Sequence, residues 1–208
     1  MARNSVKKVA LADSQDETVR PRSLIINESI RLFGQQGYTG TSMRDIAKAV
    51  GVLPGSLYAH IDSKETLLLE IVDEGIMGFL AAVEPIVDLP LVAEERLRRA
   101  IRAHVEVVAA SPERSLVVFH QWRFLSDANL ATAIEHRRRY ERAFIRIFEA
   151  GVKEGTFEKS LNKRIAVLTI LGALNWTPEW YSARGANSPS QLGDMMADSL
   201  LSGLLVRK

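Results

Sequence analysis

The chain has 208 residues, 47% of them hydrophobic, with a formal net charge of +2 and no cysteine. This length supports one sizeable core, or a small domain joined to a medium one. The lack of cysteine excludes disulfides, thiolate catalysis and cysteine-ligated zinc or iron–sulfur centres. The small net charge limits any nucleic-acid binding to a local patch.

Residues 1–20 are polar and mixed in charge, without the apolar segment of a signal peptide. We predict a disordered arm there, either an inert tail or an arm that follows a DNA backbone. The longest apolar run, residues 165–174, is shorter than the roughly 20 residues of a membrane span. We therefore expect a soluble, cytoplasmic protein with no membrane partner.

The first helix is predicted over about 21–36. Pro21 suits a first helical turn, and Gly37 is a plausible C-terminal cap. The predicted buried stripe of this helix consists of Leu24, Ile26, Ile30 and Phe33.

Residues 41–64 have the spacing of two short crossing helices, 42–50 and 54–61, joined at Gly51. Glycine reaches positive φ without strain, and Ala47 is small enough for close helix approach. The apolar residues expected to clamp the two helices are Ile46, Val50, Val52 and Leu57. This spacing fits an ordinary helical hairpin or a helix-turn-helix, which lays a helix into the major groove of DNA.

The rest of the chain has helical periodicity nearly throughout. A long helix is predicted from Asp62 or Ser63, within a capping-box-like sequence, to about Val83, with Pro85 ending it. Further helices are predicted over 91–110, 112–125, 127–154, 161–182 and 189–206. We predict an all-α fold with a three-helix DNA-binding head over 21–65 and a helical effector-binding and dimerisation body over 66–208.

The motif GSLYxHxxSKE, residues 55–65, follows Gly51 and resembles the signature of TetR-family transcriptional regulators. The resemblance implies a homodimeric repressor, not an enzyme, that binds a palindromic operator in double-stranded DNA. It also implies that a small effector binds the body and releases the DNA.

A second segment, NWTPEWY at 175–181 with Gly185 and Ser188, is similar to TetR-family regulators that respond to acyl-CoA thioesters. Those regulators control fatty-acid, phenylacetate or steroid breakdown, and the head resembles the steroid-catabolite repressors among them. An acyl-CoA effector is therefore expected, with no other cofactor. The alternative is a regulator of an efflux or stress gene that responds to a hydrophobic compound.

Two other functions are weighed against regulation. A hydrolase is disfavoured because the chain has no cysteine, no Gly-x-Ser-x-Gly elbow and no paired acid–base motif. A helical interaction protein without a DNA role has little use for Tyr58, His60 and Lys64 in this arrangement. The histidines at 104, 120 and 136 fall on different predicted helices without a supporting motif, so no metal site is expected.

Four candidate DNA-binding residues lie at predicted helix starts. Thr41 and Ser42 suit phosphate contact or simple N-capping. Arg44 can reach a phosphate or a guanine edge, or form a surface ion pair. Lys64 opposes the dipole of its own helix, which favours a phosphate partner.

The recognition helix supplies the other four candidates. Gly55 allows close backbone approach to DNA, and Ser56 is a small polar reader. Tyr58 and His60 resemble the family's backbone-contacting pair, although His60 also fits a core histidine. The start of this helix at Pro54-Gly55 departs from many relatives, so base preference cannot be transferred.

The helix from about Leu161 is expected to contribute to the effector site. Ile165, Leu168, Gly172, Trp176 and Trp180 share one side, which fits a packed core, a dimer seam or a pocket wall. Pro178 is expected to kink this helix. Within the second resemblance, the predicted ligand residues are Trp176, Trp180 and Tyr181.

One arginine falls on the apolar stripe of the helix from Asp127. Arg137 shares that stripe with Tyr140 and Phe144, and an inward arginine is costly unless paired. It is expected to face a carboxylate, a thioester oxygen or a CoA phosphate, or to form an internal salt bridge. Tyr140 and Phe144 on the same stripe are also candidate effector residues, and Arg123 is a weaker candidate of the same kind as Arg137.

The last two predicted helices are expected to form the dimer interface, because they carry more apolar surface than one body can cover. The predicted interface residues are Leu168, Leu171, Leu174, Met195, Met196, Leu200 and Leu204.

Overall fold

A computed structural model describes residues 16–206 of the chain. In chain order the helices are α1 (Asp16–Gly40), α2 (Met43–Val50), α3 (Pro54–Tyr58), α4 (Lys64–Val87), α5 (Ala93–Ala110), α6 (Pro112–Leu116), α7 (Asp127–Glu154), α8 (Lys163–Asn175), α9 (Thr177–Trp180) and α10 (Pro189–Leu201). Between 16 and 206 the β-structure is one isolated bridge, between Phe157 and Leu205. The predicted all-α architecture is confirmed.

The predicted arm over 1–20 is only partly within the described residues. Residues 1–15 lie outside them, and residues 16–20 belong to α1. The backbone of α1 breaks at Gly37, whose φ is 77°, where the sequence predicted the end of the helix.

The predicted stripe of α1 is right at Ile30 and Phe33, which are buried, but wrong at its first residue. Ile25 is 1% exposed, whereas Leu24 is 45% exposed. Ser29 is also buried, and its hydroxyl donates to the Ile25 carbonyl at 2.7 Å. A buried serine is tolerated when its hydroxyl donates to a backbone carbonyl of the preceding helical turn. The buried stripe of α1 therefore contains a polar residue that the apolar pattern did not predict.

The head is one apolar cluster built from α1 to α4, with Phe33, Ile46 and Leu57 fully buried. Gly51 ends α2 at φ 80°, and its N–H donates to the carbonyls of Ala47 and Lys48. Val52, predicted to clamp the helices, is instead exposed. The helix-turn-helix pair therefore packs mainly through Ile46, Ala47 and Leu57.

The body packs α4, α5, α7, α8 and α10 around a second apolar cluster. The predicted stop at Pro85 is wrong, because α4 continues to Val87 with Pro85 inside it. The predicted helix 161–182 is divided into α8 and α9, with Pro178 in the first turn of α9. The proline thus starts a new helix rather than kinking one.

The predicted helix 112–125 changes its winding along its length. After α6 come a π-helical turn, Val117–Gln121, and a 3₁₀ turn, Trp122–Phe124. We call residues 117–124 the linking segment, because Val117 is buried in the head cluster while Val118 and Phe119 are buried in the body cluster.

Gly75 of α4 lets the linking segment approach closely, since a Cβ at that position would collide with the Val118 side chain. None of the helices over residues 16–206 has the length and apolar character needed to cross a membrane.

Candidate nucleic-acid interface and ligand pocket

The short helix α3 has one buried side chain and several exposed ones. Leu57 is fully buried, whereas Ser56 and His60 are exposed and Tyr58 is 54% exposed. A Cβ added at Gly55 would meet no described atom within 4 Å. Four of the predicted DNA-binding residues therefore share an open surface, and the alternative that His60 is a core residue is wrong.

The start of α2 adds two exposed polar residues to this surface. Ser42 caps the helix: its hydroxyl accepts from the Asp45 N–H at 3.2 Å, and its own N–H donates to Asp45 Oδ2 at 2.8 Å. The Ser42 hydroxyl also donates to Asp45 Oδ2 at 2.6 Å, and this hydrogen bond, together with that from the Ser42 N–H, lowers the pKa of the Asp45 carboxyl. Arg44 is exposed and forms no ion pair with any described residue. Its guanidinium is available to an external anion.

Thr41 and Lys64 occupy different environments from those predicted. Thr41 is buried, and its hydroxyl donates to the Gly37 carbonyl at 2.9 Å. Lys64 Nζ donates to the carbonyls of Tyr38 and Thr41 at 2.9 and 2.8 Å and lies 4.2 Å from the centroid of the Tyr38 ring. The ammonium of Lys64 thus gives two of its three donors to the α1–α2 turn, which accounts for its position without a phosphate. The buried Thr41 is corrected to a residue that holds this turn, whereas a phosphate contact of Lys64 stays a prediction.

A pocket of about 220 Å³ lies in the body, where α4, α7, α8 and the linking segment meet. Its buried wall is apolar apart from one hydroxyl, that of Tyr140, and its rim includes Arg137 and Asn175. The full lining is Ile76, Phe79, Phe119, Arg137, Tyr140, Glu141, Leu168, Leu171, Gly172 and Asn175. The sequence identified Arg137 and Tyr140 as ligand residues but missed the walls contributed by α4 and the linking segment.

Tyr140 is fixed by a buried neighbour on α5. Its hydroxyl and His104 Nδ1 are 2.9 Å apart. Burial lowers the pKa of His104 to about 3 and raises the pKa of Tyr140, so both side chains are neutral near pH 7. Phe119 stacks on the His104 ring at 5.6 Å, which places this polar pair behind the pocket wall.

Arg137 is half-buried at the pocket rim and forms no ion pair with a described carboxylate. The predicted alternative of an internal salt bridge is therefore not found over residues 16–206. Its Nη1 donates a long hydrogen bond to the Val118 carbonyl, 3.4 Å away. Burial lowers the pKa of Arg137 and the nearby Arg123 cation lowers it further, while the Glu141 carboxylate on the same pocket raises it. The pocket rim thus holds a cation whose desolvation is only partly compensated.

Trp122 lies between the pocket and the head, next to two arginines. The guanidinium carbons of Arg123 and Arg137 each lie 4.7 Å from the centroid of the Trp122 ring. Trp122 Nε1 is buried with no hydrogen-bond partner among the described residues. Of these three residues only Arg137 lines the pocket, so its guanidinium is the group that an anion or a carbonyl oxygen in the pocket can contact.

Five predicted effector residues do not line this pocket, and one of them is the exposed Arg123. Phe144 is fully buried against the Tyr140 ring, because the stripe of α7 points into the body core beyond the pocket. Trp176 and Trp180 are largely exposed, and Tyr181 is half-buried, because α8 ends at Asn175 and the chain turns away into α9.

The predicted dimer residues are divided between core and surface. Leu168 and Met195 are exposed, and Met196 and Leu200 are partly buried. Leu171, Leu174 and Leu204 are buried in the body core of the same chain, so they are corrected to core residues. The exposed α8–α10 face instead includes Ile165, which the sequence assigned to the effector stripe.

The linking segment makes direct contact with the first helix of the head. Gln121 Oε1 accepts a hydrogen bond from the Tyr38 backbone N–H at 3.0 Å, and Phe124 stacks on the Tyr38 ring at 5.6 Å. The residue two positions before Gln121 is Phe119 of the pocket wall. A short segment therefore joins the pocket to the turn held by Lys64. Within the described chain, no group of three or more His, Asp or Glu side chains is placed to hold a metal ion.

Two family models match the chain. The model for bacterial regulatory proteins of the tetR family matches residues 25–71. The model for the tetracyclin repressor-like C-terminal domain matches residues 90–204. Together these ranges include the helix-turn-helix and most of the body.

Curated relatives and solved structures agree with these matches. The HTH-type transcriptional repressor KstR2 of Mycobacterium tuberculosis strain H37Rv is 28% identical over 188 residues, covering 88% of this chain and 92% of its own. The fatty acid metabolism regulator protein of Bacillus subtilis strain 168 is 26% identical over 160 residues, covering 76% of this chain and 82% of its own. The structure of AibR with isovaleryl coenzyme A and operator DNA superposes with a TM-score of 0.76 at 24% identity, covering 89% of this chain and 98% of AibR.

Proposed function

Because the chain belongs to the tetR family of bacterial regulatory proteins, we propose that this repressor acts as a homodimer and is released from its operator by an acyl-CoA thioester. A regulator of this family is a DNA-binding transcriptional repressor, not an enzyme. Beyond the family, we propose the class of effector, the homodimer and the residues that contact DNA and effector.

One observation carries the effector proposal: a half-buried arginine without a salt bridge to a described carboxylate lies at the rim of a pocket whose lining is mainly apolar and also includes Glu141. The Arg137 guanidinium would bind an oxygen atom of the ligand, while Phe79, Phe119 and Leu171 would contact an apolar group. A thioester of an apolar acid joins these two chemistries in one molecule.

The size of the pocket indicates how much of such a molecule enters it. About 220 Å³ is less than the roughly 300–1,000 Å³ of pockets that enclose drug-sized ligands. The acyl group fits inside, and the nucleotide part of coenzyme A remains outside. Arg137 at the rim then faces the thioester oxygen or a phosphate.

Two relatives make this chemistry plausible for the chain. AibR has been solved with isovaleryl coenzyme A and operator DNA, and the B. subtilis relative regulates fatty acid metabolism. Both share the fold, and the pocket chemistry of this chain is compatible with the same class of effector.

For DNA binding we propose the exposed surface of α2 and α3. Ser42, Arg44, Ser56, Tyr58 and His60 supply hydroxyl, guanidinium, phenol and imidazole groups for phosphates and base edges. Gly55 leaves room for close approach. Two heads related by a two-fold axis require a palindromic operator.

For dimerisation we propose the α8–α10 face. Ile165, Leu168 and Met195 are exposed apolar side chains on it, and a groove of about 300 Å³ lies between the two helices, beside Leu200. Burial of this face against a second copy would remove these side chains from water.

Release is proposed to pass through the linking segment. An acyl group against Phe119 favours a position of residues 117–124 that changes the Gln121–Tyr38 contact. The shift in DNA affinity cannot exceed the difference in effector affinity between the two head arrangements.

Native mass spectrometry of the full chain against a panel of acyl-CoA thioesters, free acids, coenzyme A and neutral hydrophobic compounds tests the proposal. We expect a dimer that binds thioesters with one molecule per pocket. A stable monomer would contradict the dimer proposal. Binding of neutral hydrophobic compounds instead of thioesters would support the efflux or stress alternative.

A further inference from the structure

The first turn of α3, counted from its N-cap residue Leu53, has no side chain that can form hydrogen bonds before Ser56. Leu53, the N-cap residue, makes no side-chain capping bond, and Pro54 and Gly55 follow it. The first polar side chain of this turn is Ser56. The leading edge of the recognition helix therefore cannot read the donor and acceptor pattern of base pairs through side chains of residues 53–55.

Leu53 is also unusual in its exposure. It is 76% exposed, the highest value among the large hydrophobic side chains of the described residues. Leu57, one turn later, fills the head core. Leu53 thus contributes little to folding while presenting an apolar group beside exposed Ser56 and Tyr58, on the surface that faces DNA.

The major groove offers one apolar feature to such a side chain, the C5-methyl group of thymine. We propose that Leu53 contacts a thymine methyl group in each operator half-site and thereby sets part of the sequence preference. The inference rests on the insertion of α3 into the major groove and is independent of the effector.

Competing occupants fit this position less well. A protein partner on Leu53 would also cover Ser56 and Tyr58 and so compete with DNA for the helix. The proposed dimer face lies on α8 and α10, in the other cluster of the molecule. Leu53 lies on the same surface as Ser56 and Tyr58, which favours a DNA base as its partner.

The test uses the chemistry of the methyl group itself. Operators are first selected from a random duplex pool with the full-length protein. Each thymine of the selected half-site is then replaced by deoxyuridine, which lacks only the methyl group. We expect one position to weaken binding about 4-fold per half-site, and about 16-fold when both half-sites are changed, as for the loss of one buried methyl-sized group.

Protein variants assign that effect to the side chain. Leu53→Ala is expected to bind thymine and deoxyuridine operators with nearly equal affinity, and Leu53→Met to keep the preference. Leu24→Ala, which removes another exposed leucine of the head, is expected to leave the preference unchanged.

Three outcomes overturn the inference: no thymine in the selected half-site near the helix start, no penalty for deoxyuridine, or the same penalty in Leu53→Ala. The wild-type penalty is measurable even if Leu53→Ala does not fold. Selection of no operator at all would instead contradict the proposed function.

Discussion

Gln121 and Tyr38 join the pocket-bearing body to the DNA-binding head. The Gln121 side-chain oxygen accepts the Tyr38 backbone N–H at 3.0 Å, across 83 residues of sequence. Tyr38 also lies under the Lys64 ammonium and against Phe124. In the proposed release mechanism, this backbone donor is the point where a movement of the linking segment would reach the head.

Gln121→Ala is predicted to uncouple effector from operator. The variant should still bind the effector, because residue 121 does not line the pocket. The ratio of operator affinities without and with effector, typically about 5–150 in coupled systems, should fall toward one. Fluorescence anisotropy with labelled operator measures this ratio. Gln36→Ala, an exposed change on α1, is the control, and an unchanged ratio in Gln121→Ala would contradict the proposed route.

Lys64→Ala is predicted to act on stability before DNA binding. It removes the charged donor from two carbonyls of the α1–α2 turn, and such bonds contribute about 1.5–3 kcal/mol each. We expect a clear loss in the free energy of unfolding by urea. Lys48→Ala, at an exposed position of α2, should change it little. Full stability combined with lost operator binding would support the phosphate contact predicted for Lys64.

Tyr58→Ala is predicted to weaken operator binding while leaving stability nearly unchanged. Its side chain is 54% exposed, so unfolding should change by no more than about 0.5 kcal/mol. Operator affinity should drop about tenfold, as expected for the loss of a contact worth about 1.4 kcal/mol.

Arg44→Ala should weaken operator binding and also flatten the salt dependence of binding, because fewer phosphates are neutralised. Unchanged affinity in both variants would exclude this surface as the DNA reader.

His104 gives the chain a pH-dependent stability. Its pKa falls from 6.5 to about 3 on burial, so between these values the unfolded chain binds a proton that the folded chain does not. The stabilisation is complete above pH 6.5 and is lost as the pH falls toward 3, at about 1.4 kcal/mol per pH unit.

The His104→Leu variant isolates that contribution. Relative to the variant, the wild type should lose about 2 kcal/mol between pH 6.5 and pH 5, measured by urea unfolding at each pH. His60→Gln, at an exposed histidine, should parallel the wild type. A constant difference between wild type and His104→Leu would show that His104 is not buried in its neutral form.

Arg137→Leu is predicted to weaken thioester binding at least tenfold, since the oxygen ligand would lose its charged partner. The adjacent Arg138 is exposed, so Arg138→Leu is a matched control of the same helix and charge. Isothermal titration of both variants with a binding acyl-CoA measures the difference. Equal affinities would place the oxygen ligand elsewhere.

Local patterns predicted the head well, and the pocket poorly. The Gly51 turn, the Ser63 cap and the buried Leu57 each depend on neighbours within a few residues, so spacing alone located them. The one-residue error at Leu24 arose because a self-bonded serine, Ser29, occupies the buried stripe.

The pocket depends on contacts between distant segments, which periodicity does not encode. Phe79, Phe119 and Asn175 come together only when α4, the linking segment and α8 pack. The π-helical turn that carries Phe119 has no sequence signal in a 3.6-residue pattern. Likewise, the internal partners of Lys64 are backbone carbonyls, which residue types do not reveal.

Effector release is tested most directly by titrating the operator-bound, full-length protein with a thioester that binds the pocket and following the anisotropy of the labelled DNA. We expect the thioester to release the operator at concentrations that fill the pocket, and coenzyme A alone to release none. Retention of the operator at full occupancy of the pocket would contradict effector release.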